Sequence, residues 1–157
     1  MSLNFNAATP AAPSGSTNVV WQNDASGNVS AYVPSTGGTG PVDSTGLTDN
    51  VGATTILTPT SSSLYRVTAY MIVTTVDGAS STLPRLIITW TDRDNLNSQT
   101  FTLLPTNAGN SLTTFQQGNM EINALSGGAI QYETTGYASG TPNTMTYALR
   151  IRTESMG

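Results

Sequence analysis

Alternating apolar and polar positions between residues 51 and 157 predict a series of β-strands. The longest predicted strand runs from Leu64 to Thr74. Because successive side chains of a strand point to opposite faces, this alternation is typical of a strand with one buried face. The predicted inward set is Tyr65, Val67, Ala69, Met71 and Val73, and the predicted outward set is Arg66, Thr68, Tyr70 and Thr74.

Further segments with strand character follow at intervals of about ten residues, which is typical of an antiparallel β-sandwich or a jelly roll. No segment has helical spacing over a useful length. The other predicted strands are 51–57, 85–91, 99–104, a weaker 112–117, 120–125, 129–134 and 144–152. In 85–91 the predicted inward residues are Leu86, Ile88 and Trp90, and in the last strand they are Met145, Tyr147, Leu149 and Ile151. The pattern does not distinguish a sandwich from a jelly roll.

The first fifty residues lack this pattern and divide into three parts. Residues 1–17 are rich in Ala, Pro, Ser and Gly, which predicts an extended arm. Residues 18–33 predict a β-hairpin, because two strand-like runs flank the turn-forming loop 23–27. Residues 34–50 predict a flexible linker. We therefore expect an arm with a hairpin over 1–50 and a β-sandwich or jelly-roll domain over 51–157.

Composition supports an all-β fold and excludes several kinds of partner. Only 9% of residues are charged, whereas intrinsic disorder usually accompanies high net charge. The net charge is −4, and the basic residues are five scattered arginines with no lysine. Nucleic-acid binding and anionic membrane surfaces require clustered basic residues, so neither partner is expected. No apolar run approaches the length of a membrane span.

Missing residue types limit catalysis. The chain has no histidine, cysteine or lysine. Histidine-based triads, thiolate or histidine zinc sites, Schiff-base chemistry and a P-loop are therefore impossible within this chain. We expect no cofactor, no metal and no enzymatic activity.

One pair of carboxylates is the best catalytic candidate. If 120–125 and 129–134 form a hairpin around Ser126 to Gly128, Glu121 lies opposite Glu133 on the outer face. Two carboxylates about 5 Å apart have the spacing of a retaining glycosidase. If the register is shifted by one pair, or if a neighbouring arginine such as Arg150 neutralises the carboxylates, these residues have only a structural role. We prefer this interpretation.

A run of acidic and amide residues suggests a calcium loop. Asp92, Asp94, Asn95 and Asn97 offer oxygen ligands in a short segment. However, the EF-type pattern requires glycine at the sixth position, where Asn97 stands, and a later glutamate that is missing. Because Asp and Asn also occur in ordinary tight turns, we expect a turn here.

Recognition surfaces are predicted at two places. The hairpin concentrates apolar residues that so small an element cannot bury alone, so it should pack on its own domain or dock on a partner. The candidate partner-binding residues are Val19, Val20, Trp21 and Tyr32 in the hairpin and Tyr137 in the loop 135–143. Small polar loops with a tyrosine recur in recognition surfaces and equally in plain connectors.

Several stretches together resemble a recurring bacteriophage-associated β domain. They are LYRVTAYMIVTT, TLPRLIITWTD, IQYETTGYASG and MTYALRIRTE, and the earlier NVVWQNDASGNVSAYVP resembles a short module that precedes such domains. The resemblance covers residues 64–154 and rests on general pattern without a catalytic signature. It implies a virion surface protein, often a trimeric jelly roll like the tumour-necrosis-factor or complement-type globular heads.

Two roles remain open. In the first, the chain is a capsid decoration protein or head-fibre subunit, a homotrimer on the virion surface that docks on the major capsid protein or another virion subunit through its N-terminal arm. In the second, it is a tail-fibre module that recognises a host surface glycan or protein through loop tips such as Tyr137. A glycan-active enzyme using Glu121 and Glu133 is the weakest alternative.

Overall fold

The computed structural model describes residues 42–140 and 144–157, together with the backbone of two short strands nearer the N-terminus. The chain divides into two compact units, one that contains these short strands and one that contains all later strands. Among the described residues, no helix is long and apolar enough to span a membrane.

The first unit contains the predicted hairpin. Strands β1 (Val20–Asn23) and β2 (Val29–Tyr32) pair antiparallel. Val20 lies opposite Tyr32 and Asn23 lies opposite Val29. These paired strands lie within residues 18–33, for which a hairpin was predicted, whereas the loop between them, the arm over 1–17 and residues 34–41 lie outside the described residues.

The described residues of the second unit form an all-β domain with ten strands. They are β3 (Val42–Leu47), β4 (Thr54–Leu57), β5 (Ser63–Thr75), β6 (Thr82–Leu83), β7 (Arg85–Thr91), β8 (Ser98–Leu104), β9 (Asn107–Ala108), β10 (Phe115–Ala124), β11 (Ile130–Thr135) and β12 (Thr146–Ser155). Two antiparallel four-stranded sheets have the orders β10-β5-β12-β3 and β4-β11-β7-β8, and β6 pairs with β9. The prediction of an all-β fold with antiparallel sheets is confirmed.

The strand order identifies the sandwich as a jelly roll. The first long strand of the domain pairs with the last (β3 with β12), the second with the seventh (β4 with β11), the third with the sixth (β5 with β10), and the fourth with the fifth (β7 with β8). This nested pairing is that of one long antiparallel ribbon folded into two sheets, which is the jelly-roll topology. The choice that the sequence left open is thereby resolved.

The core lies between the two sheets and uses the predicted inward residues. In β5, the side chains of Tyr65, Val67, Ala69, Met71 and Val73 are buried. The inward residues of the last strand and of β7 join the same cluster, in which Met145, Tyr147, Leu149, Ile151, Leu86 and Ile88 are fully buried and Trp90 partly buried. Burial of this apolar area is the main term that favours the folded sandwich.

Strand β3 corrects one prediction. Residues 34–50 were expected to form a flexible linker, but Val42–Leu47 pairs with β12 at the edge of the first sheet. Val42 and Leu47 pack against the core. An edge strand needs hydrogen bonds on one side only, so a sequence poor in apolar residues can occupy it. The linker prediction is therefore wrong for residues 42–47, while the division between 1–50 and 51–157 stays a prediction.

Candidate functional site

The predicted recognition residues of the hairpin lie in the first unit. Val20 and Trp21 belong to β1 and Tyr32 belongs to β2. Val19 lies outside the described residues. Partner binding by these four residues stays a prediction.

Tyr137 is not the exposed aromatic residue that the sequence suggested. Its side chain is half-buried, and its hydroxyl donates a hydrogen bond to the carbonyl of Met145 at 2.5 Å. Its ring packs against that of Tyr147 with centroids 5.9 Å apart. Burial raises the pKa of the Tyr137 hydroxyl above its ordinary value. The residue thus anchors its loop to the core, and its role in partner binding stays a prediction.

The candidate carboxylate pair does not form. Strand β10 pairs with β5 in the first sheet, and β11 pairs with β4 and β7 in the second, so the two strands are not a hairpin. Glu121 therefore lies in a different sheet from Glu133. Glu121 instead faces Arg66, whose Nη2 lies 3.4 Å from its Oε1. The glycosidase alternative loses its geometric basis.

The acidic run between β7 and β8 is an ordinary turn. Asp92 Oδ1 accepts hydrogen bonds from the backbone N–H groups of Asp94 at 2.9 Å and Asn95 at 3.3 Å. Asn95 Oδ1 accepts one from the backbone N–H of Asn97 at 2.9 Å. In the part of the chain that the structure describes, no group of three or more acidic, histidine or cysteine side chains could hold a metal ion. The side-chain oxygens here stabilise the backbone, as expected.

The most distinctive surface is the outer face, defined as the side of the β10-β5-β12-β3 sheet that is turned away from the core. Cross-strand register arranges its side chains in rows perpendicular to the strands. The rows are Phe115, Ile72 and Ala148, then Gln117, Tyr70, Arg150 and Asp43, then Asn119, Thr68 and Arg152, and finally Glu121, Arg66 and Glu154. Residues from strands far apart in sequence thus become direct neighbours on one rigid sheet.

A groove of about 440 Å³ crosses the two middle rows of the outer face. Its lining residues are Thr68, Ala69, Tyr70, Gln117, Gly118, Asn119, Arg150 and Arg152. Hydroxyl, amide and guanidinium groups therefore border the groove, and none of the lining residues carries a carboxylate. We call this feature the outer-face groove.

An aromatic pair borders the outer-face groove on one side. The rings of Tyr70 and Phe115 are stacked with centroids 5.9 Å apart and planes inclined by 29°. Phe115 is 50% exposed, and Tyr70 is partly buried. Apolar ring surface thus lies next to the polar lining. This pairing of an aromatic platform with a few convergent polar groups is typical of a small-molecule binding site.

The charges on the outer face are largely paired. Arg150 forms an ion pair with Asp43, and Arg66 lies between Glu121 and Glu154 at 3.4 Å and 3.9 Å. These side chains are between 42% and 73% exposed, so each pair contributes little to stability. Arg152 has no carboxylate partner among the residues that the structure describes.

The groove was not predicted from the sequence. The alternation in the longest strand already placed Thr68 and Tyr70 outward, and the same argument places Arg150 and Arg152 outward in the last strand. What the sequence lacks is the order of the strands, which alone brings Gln117 and Asn119 beside them.

Comparisons with known proteins give distant structural similarities only. No protein-family model and no curated protein matches the chain. The solved structures that match include the CBM22-2 and CBM22-1 xylan-binding domains of Paenibacillus barcinonensis Xyn10C. The CBM22-2 domain is 12% identical with a TM-score of 0.40, over 88% of this chain and 85% of that chain. The CBM22-1 domain is 15% identical with a TM-score of 0.39, over 89% of this chain and 83% of that chain.

A third match is a two-module chain from Clostridium thermocellum xylanase 10B, which contains CBM22-1 and GH10 modules in complex with xylohexaose. It is 9% identical with a TM-score of 0.37, and the match spans 67% of this chain but only 19% of that chain. Similarity at this level leaves the function to be argued from this chain's own residues.

Proposed function

We propose that the jelly-roll domain is a non-catalytic module that binds oligosaccharides in the outer-face groove. The observation that carries the proposal is the lining of the groove, in which the amides of Gln117 and Asn119 and the guanidinium of Arg150 lie beside the stacked rings of Tyr70 and Phe115. The fold alone does not specify this function, because a jelly roll serves both lectin and viral capsid domains.

The lining matches the chemistry of a sugar in two respects. Amide and guanidinium groups are planar and offer adjacent donors, so they can pair with neighbouring hydroxyls. An aromatic ring offers an apolar surface for the C–H face of a pyranose ring. All of these residues stand on β-strands, so the positions of their backbones are fixed before a ligand arrives.

Binding without catalysis follows from the groups present. Hydrolysis of a glycosidic bond requires a general acid and a second carboxylate near the scissile bond. The acidic residues closest along the face, Glu121 and Glu154, both face Arg66 outside the groove. No residue of the lining can take either role.

Replacement of one lining amide tests this proposal. The variant Gln117→Ala removes a donor and an acceptor from the groove, and we expect oligosaccharide affinity to fall about tenfold. The matched control is Gln131→Ala, since Gln131 pairs with Thr89 on the opposite sheet and outside the groove. Affinities are measured by glycan array followed by calorimetry. Equal losses in both variants, or no oligosaccharide bound by the wild type, would contradict the proposal.

We further propose that the module belongs to a virion, as a homotrimeric surface subunit of the capsid or of a fibre. The support is the sequence resemblance to bacteriophage-associated β domains, together with a hairpin that forms a unit of its own. In the capsid role, the hairpin side of the chain docks on the major capsid protein or another virion subunit. In the fibre role, the groove recognises a host surface glycan.

Truncation tests the docking role. Deletion of residues 1–36 removes the hairpin unit but keeps β3, whose loss would expose the edge of β12. We expect the truncated protein to lose binding to virus particles while its thermal unfolding remains cooperative. Retained particle binding would contradict the docking role. Light scattering of the full chain tests the trimer.

A further inference from the structure

We infer that the outer-face groove selects acidic sugars, those with a carboxylate or sulfate group, and that Arg152 is the residue that contacts the anion. This inference rests on the proposed function and names the ligand class of the same groove. The inference is based on ion pairing: in the described part of the chain, Arg152 is the one arginine of the outer face without a carboxylate partner.

Ion pairing distinguishes Arg152 from the other arginines of the face. Arg150 is neutralised by Asp43, and Arg66 by Glu121 and Glu154. Glu154 is two residues from Arg152 on β12, about 7 Å along the strand. Its carboxylate, however, lies 3.9 Å from Arg66 Nη1. Arg152 therefore offers the groove a guanidinium whose donors are free for a ligand anion.

The neighbours of Arg152 can bind the rest of a sugar ring. Thr68 lies directly across from it on β5, and Asn119 follows on β10. A hydroxyl, an amide and a guanidinium thus stand in one row of the lining. An anionic group at Arg152 would place the ring hydroxyls of the same sugar over Thr68 and Asn119.

The overall charge of the chain opposes anions, but only weakly at this site. The net charge is −4, and the outer face itself carries three acidic and three basic residues. At physiological ionic strength, interactions between exposed charges are largely screened beyond about 8 Å. Glu154 lies within that distance of Arg152, but its carboxylate faces Arg66. A direct charge-assisted contact with Arg152 therefore outweighs the more distant negative charges.

The test compares each acidic oligosaccharide with its neutral parent. The probes are sialyllactose with lactose, trigalacturonate with its methyl ester, and a sulfated galactose disaccharide with the unsulfated form. For at least one acidic member, we expect the wild type to bind about tenfold more tightly than the neutral parent, and this preference should shrink at high salt.

The variant Arg152→Gln should bring that ratio close to one, because it should lower affinity for the acidic member far more than affinity for the neutral parent. The matched control is Arg85→Gln, because Arg85 lies on the other sheet and its Nε donates to Thr135 Oγ1 at 2.6 Å. Equal affinity for acidic and neutral forms, or an unchanged ratio in Arg152→Gln, overturns the inference and leaves oligosaccharide binding standing. If the wild type binds neither form of any pair, the inference is wrong, and the glycan array decides whether oligosaccharide binding itself stands.

Discussion

Asp77 is a buried carboxylate that ties several loops together at one end of the sandwich. Its Oδ1 accepts hydrogen bonds from the backbone N–H of Ala79 and from Asn110 Nδ2, and its Oδ2 accepts from Ser81 Oγ, Ser139 Oγ and the backbone N–H of Gly140. These distances lie between 2.6 and 2.9 Å. A carboxylate is suited to this position because it accepts at every lone pair and donates nowhere.

The substitution Asp77→Asn should therefore destabilise the domain strongly. The new NH₂ group would face donors, and the remaining hydrogen bonds would lose their charge. We expect the free energy of unfolding to fall by about 2–3 kcal/mol. The control Asp49→Asn changes an exposed carboxylate that accepts from the neighbouring Asn50 N–H, and it should cost far less. Equal urea midpoints for the two variants would refute this role for Asp77.

Tyr147 makes the stability of the domain sensitive to alkaline pH. Its side chain is fully buried, and its hydroxyl donates to the carbonyl of Asp49 at 2.9 Å. Burial raises the pKa of Tyr147 to about 12, with a smaller opposing effect of Thr134. In the unfolded chain the hydroxyl ionises near its ordinary value of 10.0, so between about pH 10 and 12 the unfolded state loses its proton first.

The contribution of the Tyr147 hydroxyl to the free energy of unfolding should thus be constant below about pH 10 and should decline as pH rises towards 12. Urea unfolding at a series of pH values measures the decline. In Tyr147→Phe we expect lower stability at neutral pH, because the hydrogen bonds are lost, but a shallower decline at alkaline pH. An equally steep decline in that variant would assign the pH dependence to other groups.

At the scale of strands, Gly118 permits β10 to approach the end of β8. A Cβ at this position would lie 3.0 Å from the carbonyl oxygen of Leu103 and 3.0 Å from Leu104 Cδ2. Backbone cannot move aside as a flexible side chain can. The substitution Gly118→Ala should therefore lower the free energy of unfolding by about 1–3 kcal/mol. Gly52→Ala is the matched control, since nothing lies within 4 Å of a Cβ there, and its chemical unfolding should differ little from wild type.

The strands that could be predicted from the sequence are those that pair with another strand on each side or have a strongly apolar inner face. The alternation in β5 and β12 gave both the strands and their inward residues. Strand β3 was missed because Asp, Ser, Thr and Gly fill most of its length. Residues 115–117 and 120–124 of two separately predicted strands belong to one strand, β10, since Gly118 and Asn119 continue the ladder with β5 despite low strand propensity.

Strand partners were harder to predict than strands. Nearness in sequence suggested that β10 and β11 pair, but the connection between them crosses from one sheet to the other. Gly127 at φ 78° and its N–H bond to the carbonyl of Pro59 hold this crossing. A local pattern contains no information on such nonlocal contacts, and for this reason the outer-face groove, built from β5, β10 and β12, could not be predicted.

At the scale of the whole molecule, the outer face is a candidate both for oligosaccharide binding and for contact with another subunit. Tyr70 and Ile72 stand on the outer face, where their apolar surface could contact a ligand, another subunit or a further layer of structure. Among the described residues no further sheet covers this face, and half of Phe115 is exposed. A trimer that buried this face would close the groove, so oligosaccharide binding and trimer contacts cannot both occupy it.

We expect trimer contacts to leave the outer-face groove open, and Phe115→Ser separates the two uses. Loss of the exposed ring removes part of the aromatic platform beside Tyr70 without opening the core. Oligosaccharide affinity should fall about tenfold, since stacking on an aromatic ring contributes roughly 1 kcal/mol or more. The molar mass from light scattering should not change. If the variant dissociates the oligomer and leaves oligosaccharide affinity intact, the ring of Phe115 contacts another copy of the chain and not a sugar. The outer face would then be a subunit interface.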